Sequence, residues 1–198
     1  NGIDVQRFQF EPEARERIRQ AFGIENSFLI GCVGRLCYQK NQMFALRLLA
    51  DVLERDQTFM LVFAGDGADK EKLRNEAQRL GISSRVLFLG TTDRVHELYS
   101  AMDMLAFPSR FEGFGIVAIE AQASGLPVFC SDRVPKEAVC TRLCERLPLD
   151  RKAWADALIH RRRLDRKERA AASAEAVQEL KRIFDMAHVA KTIQGAFS

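Results

Sequence analysis

Two glutamates flank a glycine turn in the central part of the chain. Glu112 precedes Gly113 and Gly115, and Glu120 follows in an otherwise apolar stretch. Glycine lets the backbone turn tightly and approach a ligand closely. If a helix begins near Gly115, its free N–H groups and positive dipole end attract a phosphate. One carboxylate can then address one end of an elongated ligand while the other holds a different part, so the spacing predicts a site for a compound with a diphosphate in its middle.

Two cations, Arg35 and Lys40, follow the first predicted strand. A departing diphosphate develops negative charge, and fixed cations can stabilise that charge more in the transition state than in the ground state. Arginine offers a planar fork to phosphate oxygens, whereas lysine is a point charge. Composition alone favours two solvated loop cations. Their predicted position on the same rim as the glutamates, together with the resemblance described below, favours the diphosphate role.

The elements that must position these residues alternate along the chain between strand-like and helix-like segments. Such alternation predicts an α/β fold, a Rossmann-like doubly wound parallel sheet with additional helices at the C-terminal end, over the single domain 1–198. Asp69 and Asp93 are predicted to cap helices, and Gly81 to end one. The predicted strands are residues 28–33, 59–64, 86–89, 104–107, 127–130 and 143–147, and the predicted helices are residues 42–54, 69–80, 93–102, 115–124, 152–159, 170–184 and 186–197.

Polar and glycine-rich turns follow four of these strands. In doubly wound sheets the ligand binds beyond the carboxyl ends of the strands. The turns begin at Gly34, Gly65, Gly90 and Ser109, so they are predicted to share one rim. Asp66 and Asp69 suggest a metal site there, but no Asp-x-Asp triplet is present, and Arg35 and Lys40 could replace a divalent ion.

Composition narrows the class of protein. The apolar fraction of 47% with a net charge of only +3 indicates one globular domain and no nucleic-acid partner. No apolar run is long enough for a transmembrane helix, and no signal peptide is visible. The chain does not begin with methionine, which suggests a piece of a longer protein. The cysteines are scattered, which predicts reduced thiols in the cytosol and argues against zinc; they are Cys32, Cys37, Cys130, Cys140 and Cys144.

The most basic run is residues 160–167. Such a run is more often a solvated helix face, particularly where acidic residues dilute it as Asp165 and Glu168 do here. Contact with anionic lipid is the alternative, although stable anchoring usually needs more than one signal. The sequence therefore leaves open a peripheral membrane contact in a cytoplasmic protein.

Taken together, the motifs of this chain resemble the retaining glycosyltransferases of family 4, the "glycosyl transferases group 1" domain. The resemblance covers nearly the whole chain, and its weight lies in the order and spacing of several short motifs. These are Asn1-Gly2-Ile3-Asp4, Val33-Gly34-Arg35-Leu36, Lys40-Asn41, Ala64-Gly65-Asp66-Gly67, Phe88-Leu89-Gly90 and the stretch from Gly113 to Val128.

The resemblance implies the C-terminal, donor-binding half of a two-domain GT-B enzyme that transfers a hexose from a nucleoside-diphosphate sugar, with UDP favoured. The acceptor, a polysaccharide or lipid-linked saccharide, would bind to an N-terminal domain, and neither cofactor nor metal is expected. Glu112 would orient the sugar, Glu120 would hold the ribose, and Arg35, Lys40 and Glu112 would serve catalysis. The implied donor-site residues are Gly34, Arg35, Lys40, Gly90, Thr92, Glu112, Gly113, Phe114, Gly115, Ile116, Val117 and Glu120.

The sequence departs from the family pattern at two places and leaves alternative functions open. Where the family commonly has a Gly-Gly pair, residues 132–137 differ, and Lys40-Asn41 replaces Lys-Gly; both resemble the subset that builds bacterial capsule and exopolysaccharide. Glu120 could instead serve a structural hydrogen bond, and the loop after Gly90 could be a simple connection. A non-catalytic nucleotide-sugar-binding module and a GT-B-fold sugar-nucleotide epimerase are the alternative functions.

Overall fold

A computed structural model of the protein describes residues 3–184. Its centre is a parallel sheet of six strands in the order β3-β2-β1-β4-β5-β6, the order of a doubly wound nucleotide-binding fold. The strands are β1 Phe28–Val33, β2 Phe59–Ala64, β3 Val86–Gly90, β4 Met104–Phe107, β5 Val128–Ser131 and β6 Cys144–Leu147, and the helices are α1 Pro12–Phe22, α2 Gln42–Leu53, α3 Lys70–Arg79, α4 Val95–Ala101, α5 Ile116–Ala123, α6 Arg151–Ile159 and α7 Arg166–Phe184.

Helices cover both faces of the sheet. One face packs α2, α3 and α6 against side chains such as Leu61 and Phe63, with Trp154 of α6 fully buried. The other face packs α1, α4, α5 and α7 against side chains such as Val62 and Leu105. Alternate residues of β2 and β4 thus enter opposite cores, which explains why these strands read as continuous apolar runs.

The predicted α/β fold is confirmed, and every predicted strand is present with its bounds shifted by at most one residue. Helix α1 was not predicted. It begins with Pro12 at its first position and ends at Gly23, which adopts a left-handed φ of 63°. Its buried residues are Ala14 and Arg19. Ile18 packs partly buried against the same core, so the helix is amphipathic, although a charged residue takes one of its core-facing positions.

Two capping predictions need correction. Asp69 does occupy the N-cap position of α3, but its side chain makes no capping hydrogen bond. Helix α4 begins at Val95 rather than after Asp93, and the Thr92 hydroxyl accepts from the Arg94 amide at 3.1 Å in the preceding turn. The threonine oxygen thus satisfies the amide just before the helix, and α4 has no side-chain cap at its N-cap residue, Arg94.

Two further helix predictions concern Gly81 and residues 186–197. Gly81 ends α3 as predicted, with a left-handed φ of 69°. The predicted helix over residues 186–197 lies outside the described residues. Within residues 3–184, no helix is long and apolar enough to cross a membrane.

Candidate functional site

The turn before α5 forms the centre of the candidate site. Gly115 is the N-cap with a left-handed φ of 85°, and α5 begins at Ile116. A Cβ on Gly115 would lie 3.0 Å from the Ala138 Cβ, so both the conformation and the space favour glycine. Within residues 3–184, the backbone N–H groups of Ile116 and Val117 have no acceptor. The helix therefore presents free donors and its positive dipole end at the rim of the sheet.

Lys40 and Glu112 meet beside this turn. The Lys40 Nζ lies 2.7 Å from a Glu112 carboxylate oxygen, and the side chains are 19% and 8% exposed, respectively. The ammonium also lies 5.0 Å from the centre of the Phe107 ring. Two residues far apart in sequence are thus joined because β1 and β4 are neighbours in the sheet. An ammonium has three donors, so Lys40 can hold Glu112 and a ligand oxygen at the same time.

Asn41 fixes this arrangement, and sequence reasoning missed its role. It adopts a left-handed φ of 55°, the only such non-glycine residue in the described part of the chain. Its side-chain amide donates to the Pro108 carbonyl at 3.0 Å and accepts from Arg110 at 3.1 Å. Asparagine tolerates the left-handed region better than most residues. The replacement of the usual glycine was the available signal, and the structure shows that Asn41 ties the two rim loops together.

A cavity of about 340 Å³ lies next to the Gly34 turn, and its lining includes Thr92 and Glu120, which the sequence predicted to bind the nucleoside, but not Gly90. A Cβ on Gly65 would lie 2.1 Å from the Gly34 carbonyl oxygen, so the turns after β1 and β2 are in close contact. The Gly90 carbonyl accepts from the Gly65 amide at 2.7 Å, which joins the third turn to them. The lining residues are Val33, Gly34, Arg35, Ala64, Gly65, Asp66, Thr91, Thr92, Val95 and Glu120.

Arg35 is exposed at the cavity edge. Its backbone carbonyl accepts from the Gln42 side chain at 2.9 Å, which holds the loop. Among residues 3–184, nothing accepts a hydrogen bond from its guanidinium and no carboxylate pairs with it. The fork is therefore available to an anionic ligand.

Glu120 lies at the other end of the cavity. The hydroxyl of Tyr99 donates to its Oε2 at 2.7 Å, and within the described residues its Oε1 has no donor. Burial raises the pKa of Glu120, while the Tyr99 hydrogen bond and the charge of Arg7 act to lower it. The structural hydrogen bond that the sequence left open is present, but it occupies only one oxygen, so the other can accept from a ligand.

Tyr99 is a second residue that sequence reasoning missed. It is fully buried on α4, and its pKa is raised well above the usual value by burial and by the adjacent Glu120. The hydroxyl therefore stays protonated and donates. An aromatic residue in an amphipathic helix usually marks the core, so no sequence signal distinguished it.

The possible metal site at Asp66 is occupied by protein contacts. Asp66 pairs with Lys70 at 2.7 Å and accepts from the Gly67 amide at 2.7 Å. The Lys70 hydrogen bond, followed by the Gly67 amide, lowers the pKa of this carboxyl group. Among residues 3–184, no group of three histidine, cysteine or acidic side chains is placed to hold a metal ion.

The loop after β5, where the sequence departs from the usual Gly-Gly pattern, packs against the turn before α5. Val134 is buried, and its Cγ1 would lie 3.3 Å from a Cβ on Gly115. The Ser131 hydroxyl donates to the Ser109 carbonyl, and the Ser109 hydroxyl is buried without a partner among the described residues. This loop therefore supports the turn by packing rather than with a glycine pair.

The basic run of residues 160–167 is largely engaged within the protein. Arg162 pairs with Glu168 at 2.6 Å, and Arg163 lies 3.3 Å from Asp103. Arg161 lies over the Phe129 ring, 5.2 Å from its centre. Residues 161–165 connect α6 to α7 and are not helical, so the helix-face interpretation is wrong for most of the run. The contacts engage these side chains within the protein, and membrane contact stays a prediction.

The fold and this rim are those of a Rossmann-like doubly wound α/β domain. Residues 14–142 match the family described as glycosyl transferases group 1, and the chain belongs to that family. It is 38% identical over 164 residues to the putative glycosyltransferase EpsF of Bacillus subtilis, covering 80% of this chain and 42% of that protein. It is 33% identical over 137 residues to the lipopolysaccharide core biosynthesis mannosyltransferase LpcC of Rhizobium leguminosarum bv. viciae, covering 67% of this chain and 39% of that protein.

Solved structures share the fold. Anabaena HepE, in complex with UDP and glucose, superposes with a TM-score of 0.81 at 24% identity, over 100% of this chain and 55% of that one. The C-terminal domain of LpcC from Francisella tularensis superposes with a TM-score of 0.72 at 22% identity, over 93% of this chain and all of that one. The matched part of this chain thus covers less than half the length of the curated relatives named above. It covers the whole length of the isolated C-terminal domain of the Francisella LpcC.

Proposed function

We propose that this chain is the donor-binding domain of a retaining GT-B glycosyltransferase. The whole enzyme transfers a hexose from a nucleoside-diphosphate sugar, with UDP favoured, to a polysaccharide or lipid-linked acceptor. The observation that carries the proposal is the Lys40–Glu112 pair beside the free N-terminus of α5, with Glu120 across the neighbouring cavity. The UDP in the HepE structure and the relation to EpsF support a nucleotide sugar and a saccharide product.

Three groups of rim residues bind three parts of the donor: the ribose, the diphosphate and the sugar. The open Oε1 of Glu120 accepts hydrogen bonds from ribose hydroxyls, as a carboxylate does more strongly than a neutral group. The free N–H groups of α5 and the Arg35 fork bind the diphosphate. Glu112 accepts from the sugar hydroxyls. Because Arg35, Lys40 and the helix dipole supply positive charge, the donor site needs no divalent metal.

The transfer step uses the charge that builds on the diphosphate. The bond between the anomeric carbon and the phosphate oxygen breaks, and Lys40 and Arg35 stabilise the negative charge left on that oxygen. The acceptor hydroxyl oxygen bonds to the anomeric carbon from the same face. Its proton passes to the departing phosphate oxygen, so the step needs no protein nucleophile and retains the anomeric configuration.

Turnover of the whole protein tests this proposal. With a UDP-hexose and a saccharide acceptor, Lys40→Met and Arg35→Met are each expected to lower kcat by about 10²–10³-fold, the usual cost of losing one preorganised charge donor. Arg55→Met is the matched control, because Arg55 pairs only with the exposed Asp156 among the described residues. Near-normal turnover in both Lys40→Met and Arg35→Met would contradict the mechanism.

The products separate the remaining functions. Release of UDP with a product that has the donor's anomeric configuration, seen by NMR, supports the retaining transferase. An isomerised nucleotide sugar without transfer would indicate an epimerase. Nucleotide binding without turnover of any donor would indicate a non-catalytic binding module.

A further inference from the structure

Arg7 lies on a short 3-10 turn that packs beside the nucleoside end of the cavity. The turn, Val5–Phe8, contacts α4, α5 and α7. Val5 and Phe8 are buried, and the Phe8 ring meets the Tyr99 ring edge-on with centroids 6.1 Å apart. The Asp4 carboxylate accepts from the Arg7 amide at 3.4 Å. These anchors fix the backbone of Arg7 while its side chain stays exposed.

The guanidinium of Arg7 reaches the loop that forms one wall of the cavity. Its Nη2 donates to the Asp93 carbonyl at 3.1 Å. Asp93 directly follows Thr91 and Thr92, which line the cavity together with Glu120. Arg7 therefore holds this wall from outside the cavity, across a large separation in sequence.

The charged and titratable groups around Glu120 come from four elements. Tyr99 approaches from α4 and Arg7 from the 3-10 turn, while Arg35 and Asp66 lie on the opposite lining of the cavity. Burial raises the pKa of Glu120, and Tyr99 and Arg7 act against it. Since an ionised carboxylate is the stronger acceptor, both neighbours favour the form that binds hydroxyl groups.

We infer that Arg7 is a positioning residue for the nucleoside end of the donor, because it fixes the loop of residues 91–93 that lines the cavity together with Glu120. The inference rests on the proposed function, because it requires a nucleoside in this cavity. Arg7 touches neither the diphosphate nor the sugar. Its loss is therefore expected to raise KM for the donor and to leave kcat near the wild-type value.

Calorimetric titration of the whole protein with UDP between pH 5 and pH 8 tests the inference. Arg7→Met is expected to weaken binding roughly three- to tenfold, at most the loss of one charge-assisted contact. It should also raise the pH below which binding weakens, because Glu120 then protonates more readily. Arg7→Gln, which keeps a donor for the Asp93 carbonyl but no charge, should show the same pH shift, and Arg7→Lys should largely restore the wild-type profile.

Arg17→Met is the matched control. Arg17 is an exposed arginine of α1 that pairs with Glu97 of α4 at 2.8 Å, so the substitution removes the same charge near the same helix. Unchanged binding and an unchanged pH profile in this variant support a specific role of Arg7. An identical profile for Arg7→Met and wild type, or an equal shift in Arg17→Met, would overturn the inference.

The Glu120→Gln background provides a second test. There, Arg7→Met should no longer move the pH profile of UDP binding, and a shift of undiminished size would overturn the inference. Wild-type protein that binds neither UDP nor another nucleoside diphosphate at any pH would instead overturn the proposed function. Failure of the two ideas is therefore distinguishable.

Discussion

Ion pairs lie at both ends of the sheet. The two groups differ in how many of their hydrogen-bond donors and acceptors have a partner within the protein. At the amino end, the nearly fully buried Asp103 binds Arg15, Arg19 and Arg163, and its carboxylate also accepts from the Leu29 amide at 2.8 Å. At the carboxyl end, Lys40 and Glu112 form one pair beside the exposed Arg35.

The difference lies in the remaining donors and acceptors. The guanidinium groups of Arg15 and Arg19 donate to backbone carbonyls from Ser100 to Met102 and from Ile24 to Ser27. At the other end, the fork of Arg35 and the first N–H groups of α5 have no acceptor among the described residues. A saturated cluster stabilises the fold, whereas an unsaturated one has capacity left for a ligand. We therefore assign stability to the Asp103 cluster and donor binding to the opposite rim.

The largest expected effect is on stability at Asp103. Asp103→Asn leaves three arginines around a neutral group and should lower the free energy of unfolding by about 3–5 kcal/mol. Urea denaturation followed by Trp154 fluorescence measures this. Asp132→Asn is the control, because the Asp132 side chain is about half exposed and, among residues 3–184, pairs only with Arg133 at 3.5 Å; it should change stability by less than about 0.5 kcal/mol. A loss below 1 kcal/mol in Asp103→Asn would contradict the assignment.

Removing both charges of the Lys40–Glu112 pair should weaken donor binding without lowering stability, the opposite of the result expected at Asp103. Lys40→Met together with Glu112→Leu replaces a partly buried ion pair with apolar groups, a change that is often neutral or stabilising. The double variant should keep the wild-type unfolding free energy and lose donor binding by at least about tenfold, or 1.4 kcal/mol. Titration with a UDP-hexose and urea denaturation measure the two quantities. A strongly destabilised double variant would show that the rim pair is structural.

A comparison of Gly81 with Gly115, two glycines with a left-handed φ, tests whether the turn before α5 binds a ligand. Gly81 has open space around a Cβ position, whereas a Cβ on Gly115 would lie 3.0 Å from the Ala138 Cβ. Gly81→Ala should cost about 1–2 kcal/mol of stability from backbone strain alone. Gly115→Ala should cost more and should also weaken UDP binding, because it displaces the start of α5. Equal stability losses with unchanged UDP binding would argue against a ligand-binding role for this turn.

The smallest expected effect is a gain of stability at Glu120. Because burial raises the pKa of Glu120, its ionisation opposes folding at neutral pH. Glu120→Gln should therefore raise the free energy of unfolding at pH 7 while weakening UDP binding. The gain should be absent at acid pH and should grow as the pH rises above 4.5, the ordinary pKa of a glutamate. A pH-independent difference in the unfolding free energy would contradict this explanation.

Much of the fold could be predicted because the sheet is built from continuous apolar runs that end in glycine or polar turns. The bounds of β1 and β2 follow directly from Phe28–Val33 and Phe59–Ala64. Helix α1 was missed although Ala14 and Ile18 lie four residues apart on its core-facing side, because the segment is rich in charged residues and Arg19 takes a position normally held by an apolar residue. Its guanidinium is buried by pairing with Asp103, a partner that no local pattern identifies.

The candidate site likewise has features that could be predicted from the sequence and contacts that could not. The glycine turn and the spacing of Glu112 and Glu120 are local features, and the helix after Gly115 follows from them. The partners of both glutamates come from distant segments: Lys40 from the loop after β1 and Tyr99 from α4. The sequence therefore indicated which residues lie at the rim, but not which of them pair.

By itself, the sequence determined most of the secondary structure, the rim on which the polar turns lie and the family to which the chain belongs. Only the tertiary structure decided that β1 lies beside β4, which brings Lys40 to Glu112 at one end of the sheet and the arginines to Asp103 at the other. The physical reason is that hydrophobic periodicity and turn chemistry act over a few residues, whereas charge pairing depends on distances that exist only after the strands have packed in one order.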